Sequence, residues 1–252
     1  MNLVKSLISM LVLTTACTCA WAKDLTVFCA GAVKPVFSVL EPAWVARGGP
    51  RIQVTYGPAG DLTGKLAAGE RPDIVILPRE NLDSASTRAL VDAASRRDLG
   101  AVGIGVAVRA GASVPDVSSE EGLKRALQGA RSVTYMDPAR GTSGRYFDEV
   151  VLPKLAIRDE VRAKTQLGEG GMIAEKVARG EVDLAIQQMT ELVPVAGIVI
   201  AGALPPSLQK ITVYSGAVMK SAQSPAEAAK FLEFLASAEG QQVFMDRGFA
   251  LP

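Results

Sequence analysis

The sequence predicts an α/β fold of two lobes, each a mostly parallel sheet flanked by helices, with two hinge crossovers between them. Segments with the apolar pattern of strands alternate with segments of helical spacing along most of the chain. The segment Asp73 to Leu77 (DIVIL) is the kind of apolar run that is buried in parallel sheets. Strong strands near 101–109 and 211–219 are placed where the chain would cross between lobes, and two crossings make a hinge around a cleft.

The elements of the first half alternate strictly. We predict three strands and two helices there, in the order strand 25–30, helix 34–46, strand 51–56, helix 59–68 and strand 73–77. This order is typical of parallel sheets with right-handed crossovers.

The second half continues the alternation. A strand at 102–108 is followed by the capping box Ser118 to Glu121, which opens a helix. We then predict a strand at 132–135, helices at 142–155 and 171–178, and strands at 183–187 and 211–219.

Two closing helices are expected to return to the first lobe. Ser224 and Pro225 open one of them, and the other runs to about Met245. We therefore assign 23–100 plus 216–252 to lobe 1 and 101–215 to lobe 2.

Composition excludes several classes of function. The chain has 252 residues, 48% of them hydrophobic, with 27 basic and 26 acidic side chains, so it has no basic field for nucleic acid. It contains no histidine, which removes the commonest general base and a frequent transition-metal ligand. We expect no nucleic-acid partner, no metal and no cofactor.

The N-terminus resembles a secretory signal. Residues 1–22 combine one lysine, a short apolar run and the small-x-small ending Ala20-Trp21-Ala22. Cleavage after Ala22 would leave an exported chain of 230 residues. The alternative is lipidation at Cys17 or Cys19, although the leucine before Cys17 stands one place too early for a typical lipobox. The mature chain would keep only Cys29, which cannot form an internal disulfide and is predicted to pack inside a strand.

Four segments carry a resemblance to a known family. They are VFCAGAVKPVF at 27–37, TYGPAGDLTGKLAAGERPDIVIL at 55–77, DPARGTSGRYF at 137–147 and GEVDLAIQQMTE at 180–191. Together they are similar to the periplasmic molybdate-binding protein of ABC transporters and to the wider type II solute-binding proteins. The resemblance implies a cleft where turns after strands hold an anion through backbone N–H groups at helix starts and short hydroxyl side chains.

Three departures from that family argue against molybdate. Ala32 and Ala59 stand where the molybdate binders have serines, and Gln188 stands near a tyrosine position. Each hydrogen bond left unmade in a dry site costs about 1–3 kcal/mol. Arginine forks match carboxylates, so we predict a small organic acid as the ligand. The predicted ligand-binding residues are Gly31, Ala32, Ala59, Gly60, Arg79, Arg140, Thr142, Ser143, Gly144, Arg145, Gln187 and Gln188.

Other interpretations of these residues remain open. The turn Gly141 to Gly144 is either an anion cradle or an ordinary helix cap; a nucleophile elbow would need glycine where Arg145 stands and a histidine to activate Ser143. Arginines are also common as solvated surface charges. The GDLTGKL segment fails the phosphate-loop pattern.

The expected function is that of a monomeric periplasmic binding protein. It would close over a di- or tricarboxylic acid and present it to a membrane transporter, without catalysis. The segment 103–127 also resembles a subgroup that includes a periplasmic aconitate isomerase, which makes an isomerase the rival. Its base would come from Glu169, Glu191, Lys34 or Ser143, and no spacing distinguishes them. We expect Glu169 and Glu191 to be surface or helix-terminal charges. A sensor partner is a third possibility.

Overall fold

The computed structural model describes residues 23–252, so the predicted signal segment 1–22 lies outside the described residues. Within residues 23–252, nine strands form two sheets. The strands are β1 Leu25–Ala30, β2 Ile52–Gly57, β3 Ile74–Pro78, β4 Arg97–Val102, β5 Ile104–Arg109, β6 Val133–Tyr135, β7 Leu184–Gln188, β8 Ile198–Ala203 and β9 Thr212–Val218. The five-stranded sheet has the order β2-β1-β3-β9-β4 and the four-stranded sheet has the order β6-β7-β5-β8.

Each sheet contains one strand that runs against all the others. In the first sheet β9 pairs antiparallel with β3 and β4. In the second sheet β5 pairs antiparallel with β7 and β8. The remaining strands of each sheet share one direction, so the prediction of two mostly parallel α/β lobes is confirmed. Both reversed strands directly follow a crossing of the chain from one sheet to the other.

The helices flank these sheets. They are α1 Lys34–Ala46, α2 Ala59–Ala67, α3 Arg79–Asp83, α4 Ala85–Arg88, α5 Glu120–Gly129, α6 Thr142–Tyr146, α7 Leu152–Lys154, α8 Arg158–Arg162, α9 Glu175–Ala178, α10 Met189–Leu192, α11 Pro225–Ala236 and α12 Ala238–Asp246. Short 3₁₀ turns occupy Gly31–Val33 and Ala93–Ser95, and a π-helical turn at Phe147–Val151 joins α6 to α7.

The first sheet, with α1 to α4, α11 and α12, is called lobe 1 below. The closing helices pack on the helices of the first sheet, because Phe231 on α11 meets Phe37 and Trp44 on α1 at ring distances of 5.8 and 5.3 Å. Leu62 and Leu77 belong to a second apolar cluster in this lobe. Cys29 lies in the first cluster as a buried free thiol, as predicted.

The second sheet, with α5 to α10, is called lobe 2. Its core holds the fully buried acid Asp148, which accepts hydrogen bonds from Tyr135 at 3.0 Å, Arg158 at 2.8 Å and Arg162 at 2.6 Å. Burial alone would raise the pKa of Asp148, but these three donors lower it to about 2. The cluster ties α8 to β6 and the π-helical turn.

The two crossings between lobes lie side by side. The first is Gly103, which breaks the predicted strand 102–108 into β4 and β5, and the second is the segment 204–211. Gln209 joins them, because its Oε1 accepts from the Ile104 N–H at 2.8 Å and its Nε2 donates to the Ile104 carbonyl at 2.9 Å. Strand pairing groups β4 and β9 with the first sheet, and the predicted lobe boundaries stay a prediction.

Local differences from the predicted elements have local causes. The helix predicted at 171–178 forms only as α9, because Gly170 and Gly171 adopt positive φ angles of +152° and +72°. Ser119 caps α5 by accepting from the Gly122 N–H at 3.1 Å, while Ser118 binds Asp116 instead. In the part of the chain from 23 to 252, no helix is long and apolar enough to cross a bilayer.

Candidate functional site

A cleft of about 830 Å³ lies where the two lobes face each other. Lobe 1 contributes the turns that follow β1 and β2, and lobe 2 contributes the turn after β6, the end of β7 and the loop 167–176. Ligands of open α/β sheets bind beyond the carboxyl ends of strands, which is where these segments lie. The volume suits a small molecule.

Three helix starts border this cleft. The 3₁₀ turn before α1 begins after Ala30, α2 begins after Pro58 and α6 begins after Gly141, and none of these starts has a side-chain cap. Uncapped helix starts combine free N–H donors with the positive end of the helix dipole. Such starts favour negatively charged groups beside them, although the sequence as a whole is almost neutral.

Seven of the twelve sequence-predicted residues line the cleft. They are Gly31, Ala32, Ala59, Arg140, Thr142, Ser143 and Gln188. The other five, Gly60, Arg79, Gly144, Arg145 and Gln187, are not part of its wall.

Two of the five residues outside the cleft wall are arginines that bind other groups of the protein. Arg79 forms an ion pair with Asp98, near the edge strand of the first sheet. Arg145 is exposed and donates from Nε to the Pro138 carbonyl at 3.0 Å.

Two more of these five residues are glycines that pack directly against the backbone of another segment. A Cβ on Gly144 would stand 1.8 Å from the Met136 carbonyl oxygen, so only glycine lets α6 lie against the end of β6. A Cβ on Gly60 would meet the Arg140 carbonyl oxygen at 2.6 Å. The Gly60 N–H donates to that same oxygen at 2.8 Å, which joins the two lobes.

Arg140 forms an ion pair with Asp61 of the opposite lobe. Its Nη2 donates to Oδ2 of Asp61 at 2.6 Å and its Nε donates to Oδ1 at 3.1 Å. Both side chains are about one-third exposed, and Glu169 stands 4.0 Å from the guanidinium. The guanidinium is thus shared with protein carboxylates at the mouth of the cleft, and a direct ligand role for Arg140 stays a prediction.

Two lysines are the cleft cations without a carboxylate partner among residues 23–252. Lys34 at the start of α1 lies 5.6 Å from the Tyr56 ring centre, and Lys176 is half-buried on α9. By contrast, Lys65 pairs with Glu70 and Arg179 pairs with Glu181. One unpaired lysine therefore faces the cleft from each lobe.

Glu191 is buried at the floor of the cleft. It lies on α10, just beyond the end of β7, and only 8% of the residue is exposed. Burial raises the pKa of Glu191 to about 8, and the neighbouring Gln187 side chain has a smaller opposing effect. A Cβ on Gly31 would stand 3.0 Å from Glu191 Oε1, so a glycine gives the carboxyl its room. The expectation that Glu191 is a surface charge is wrong.

The residues around Glu191 are polar and inaccessible. Tyr214 of β9 is 3% exposed, and its pKa is raised well above the ordinary value, first by burial and then by the charge of Glu191. Gln188 donates from Nε2 to Thr212 Oγ1 at 3.3 Å. Within residues 23–252, no group of three or more histidine, cysteine or acidic side chains is arranged to hold a metal.

Sequence reasoning missed several residues of the cleft. Tyr56, Tyr214, Lys176 and the glycine-rich turn Gly168–Gly171 all line it. The turn had a visible signal, since three glycines fall within four residues of one another at 168–171. The tyrosines had none, because each sits inside a strand pattern that core residues share.

Comparisons with known proteins agree on the fold. A family model described as bacterial extracellular solute-binding protein matches residues 25–250. A curated relative, the aconitate isomerase of a Pseudomonas species, is 34% identical over 229 residues, which cover 89% of this chain and 86% of the relative.

Solved structures with the same fold are more distant in sequence. The periplasmic molybdate-binding protein of Azotobacter vinelandii has a TM-score of 0.76 at 17% identity, covering 90% of this chain and 99% of its own. A sulfate-binding protein of Mycobacterium tuberculosis has a TM-score of 0.73 at 18% identity, covering 90% and 86%. At these identities the likeness concerns the fold alone.

Proposed function

The chain belongs to the bacterial extracellular solute-binding proteins, and from that premise we propose that its cleft binds a small unsaturated polycarboxylate and moves a proton within it, as an isomerase of the aconitate type. The 34% identity to an aconitate isomerase over most of both chains supports this choice of reaction. The observation that carries it is the buried carboxyl of Glu191 at the floor of the cleft.

A carboxyl in that position supports a catalytic cleft over a simple anion site. An ionised Glu191 would repel a bound carboxylate, because the low-dielectric surroundings screen the two charges poorly. A group whose pKa lies near 8 exchanges its proton readily near neutral pH, which is what a general base and acid requires. Burial of a lone carboxyl is unfavourable for stability and is understandable where the carboxyl does chemistry.

The surrounding groups suit a ligand with several carboxylates. Lys34 and Lys176 approach from opposite lobes without carboxylate partners among the described residues. Thr142 and Ser143 add hydroxyl donors at the start of α6. A ligand that contacts both lysines has negative charge at two separated points, as a di- or tricarboxylate does, and the binding energy favours closure of the lobes.

The proposed reaction is an allylic proton shift. The Glu191 carboxylate removes a proton from the methylene carbon next to the substrate double bond, and the negative charge spreads over the allylic carbons and their carboxylates. The protonated Glu191 then returns the proton to the far carbon. One C–H bond breaks, one forms and the double bond moves, so the reaction needs no oxidant, reductant or leaving group.

An NMR assay with cis- and trans-aconitate in deuterium oxide tests the proposal. The wild-type protein should interconvert the two acids, and Glu191→Gln should lower kcat by about a hundredfold or more while ligand still binds. Glu169→Gln removes the other candidate carboxyl, whose side chain is 91% exposed, and should keep turnover within about threefold. Interconversion that persists in Glu191→Gln, or its absence in the wild type, would contradict the proposal.

The second candidate is uptake of the same acid without chemistry. The fold shared with molybdate- and sulfate-binding proteins favours it. In that case the chain acts as a monomer that carries the ligand to a membrane transporter or a sensor, and Glu191 binds in its protonated form. Tight binding of aconitate by the wild-type protein with no interconversion would select this function. Intact-mass analysis of the exported protein tests the proposed cleavage after Ala22.

A further inference from the structure

Lys34 lies over the ring of Tyr56 at the lobe 1 wall of the cleft. Its Nζ stands 5.6 Å from the ring centre, which is within the distance at which an aromatic face attracts an ammonium group. Both residues line the cleft. Because no carboxylate among residues 23–252 pairs with Lys34, the aromatic face is the electrostatic partner of this ammonium in the described chain.

The path of the chain brings the two residues together. Tyr56 on β2 pairs with Cys29 on β1, and the chain then passes through the 3₁₀ turn into α1, which begins at Lys34. Phe37 stands about one turn further along α1, on the same face of the helix as Lys34. Its ring is 0% exposed and meets the Tyr56 ring edge to face at 6.2 Å. The tyrosine ring is therefore packed against the core of lobe 1, while Lys34 covers it at the cleft.

An aromatic partner leaves the charge of a lysine available, whereas a carboxylate partner neutralises it. Lys65 and Arg179 also line the cleft, but each forms an ion pair with a glutamate, at 2.9 and 2.6 Å. The Tyr56 ring is uncharged, and burial raises the pKa of its hydroxyl well above the ordinary value. The Lys34 ammonium thus has a defined position and keeps its full attraction for a carboxylate of the ligand.

We propose that Tyr56 is a positioning residue for Lys34, and that the pair favours ligands that place a carboxylate against the lobe 1 wall. The proposal deepens the proposed function and rests on it, because the ligand concerned is the polycarboxylate that the cleft is proposed to bind. Lys176 approaches from lobe 2, so the favoured ligand has carboxylates at two separated points. Without the Tyr56 ring, the flexible lysine side chain must be ordered when the ligand binds, and that ordering lowers affinity.

A double-mutant cycle on ligand affinity tests the positioning role. The probe is tricarballylate, the saturated analogue of aconitate, which has no double bond to move. Calorimetry should show an affinity lower by about tenfold or more in Lys34→Met and by about three- to tenfold in Tyr56→Leu. In the Lys34→Met background, Tyr56→Leu should have less than about a twofold further effect, because the tyrosine acts through the lysine.

Two further variants separate the aromatic face from other effects. Tyr56→Phe keeps the face and lacks only the hydroxyl, so its affinity should stay within about twofold of wild type. Val54→Ala is the matched control, since Val54 lies on the same face of β2, packs on the same apolar cluster and does not line the cleft. It should also keep wild-type affinity. If Tyr56→Leu does not fold, Tyr56→Met replaces the ring with a flexible apolar chain and should weaken binding to the same extent.

A second measurement needs no ligand. Lysines that are reductively methylated with carbon-13 formaldehyde keep their positive charge and can be followed by NMR. The methyl signal of Lys34, assigned by its loss in Lys34→Met, should be shifted upfield by the ring current of Tyr56. The shift should persist in Tyr56→Phe and disappear in Tyr56→Leu.

Three results would overturn the proposal. Equal losses of affinity in Tyr56→Phe and Tyr56→Leu would show that the hydroxyl binds the ligand directly. An equal effect of Tyr56→Leu with and without Lys34 would show that the tyrosine acts independently, and an unshifted Lys34 signal in the wild-type protein would exclude the contact.

These measurements concern binding alone, so they separate this proposal from the isomerase proposal. A wild-type protein that binds tricarballylate but does not interconvert the aconitates would contradict the isomerase function and leave the role of Tyr56 to the cycle. A wild-type protein that does not bind tricarballylate would contradict both proposals.

Discussion

Arg140 on lobe 2 and Asp61 on lobe 1 form a two-point ion pair across the mouth of the cleft, with Nη2 to Oδ2 at 2.6 Å. The backbone of Arg140 repeats the connection, because its carbonyl accepts from the Gly60 N–H. These contacts exist only while the lobes are close together. The pair is therefore placed to stabilise the closed arrangement, whatever the ligand.

The first prediction concerns this pair. Asp61→Asn should increase the dissociation rate of a bound carboxylate about two- to fivefold, because a partly exposed ion pair adds modestly to closure. Stopped-flow release of ligand measures the change. Asp183→Asn, which weakens the Arg131 pair inside lobe 2, should leave the rate unchanged. Equal effects of the two substitutions would show that Asp61 has no special role in closure.

The second prediction uses the raised pKa of Glu191. If Glu191 is the base, kcat/KM for aconitate should rise with pH up to about 8, since only the ionised carboxyl accepts a proton. If the chain only binds, affinity should instead fall as the pH rises through about 8, because the ionised carboxyl repels the anion. Kinetics and calorimetry between pH 6 and 10 give the sign. A pH dependence that is unchanged in Glu191→Gln would exclude this residue from both functions.

The third prediction tests the space beside Glu191. Gly31→Ala puts a methyl group 3.0 Å from Glu191 Oε1, so turnover or ligand affinity should fall about tenfold while the fold persists. Gly64→Ala on the exposed side of α2 meets nothing within 4 Å and should stabilise the protein by about 0.5–1 kcal/mol without affecting the site. Turnover, ligand affinity and thermal unfolding of both purified variants are the measurements that test this. Full function in Gly31→Ala would mean that the carboxyl does not need its present position.

The fourth prediction concerns the buried acid of lobe 2. Asp148→Asn should destabilise the protein by about 2–4 kcal/mol at pH 7, because Arg158 and Arg162 lose a buried charged partner. The native pKa of Asp148, about 2, lies below its ordinary value, so this stability is present above about pH 4 and is lost as the pH falls toward 2. Urea unfolding at pH 7 and pH 3 should therefore show a smaller difference at pH 3. A difference that does not shrink in acid would rule out charge as its cause.

The sequence predicted the elements of lobe 1 closely, because each depends on local periodicity. The strand at 25–30 and the helix at 34–46 have the predicted bounds. Elements whose bounds depend on tertiary contacts were predicted less well. The strand β8 was not predicted, and Gly103 divides what the apolar pattern presents as one strand.

The candidate site was predicted in outline only. Turns after strands were recognisable, and Gly31, Ala59 and Ser143, which lie in such turns, line one cleft in the structure. The burial of Glu191 was not visible, because it depends on α10 packing against the 3₁₀ turn at Gly31, which is 160 residues away in the sequence. Arg140 was predicted to bind an anionic ligand, but the sequence does not show that its guanidinium donates to Asp61 of the other lobe.

The side chain of Gln209 has a mechanical consequence. It binds both backbone groups of Ile104, so the two crossings are fastened to each other at one level of the molecule. We expect two crossings that are hydrogen-bonded to each other to resist sliding past each other and separating, while they can still bend together. We therefore expect the lobes to rotate about this joint more readily than they shear or twist. With such a joint, contacts on the two walls of the cleft would form or break together, and a ligand bound to one wall would set where it meets the other.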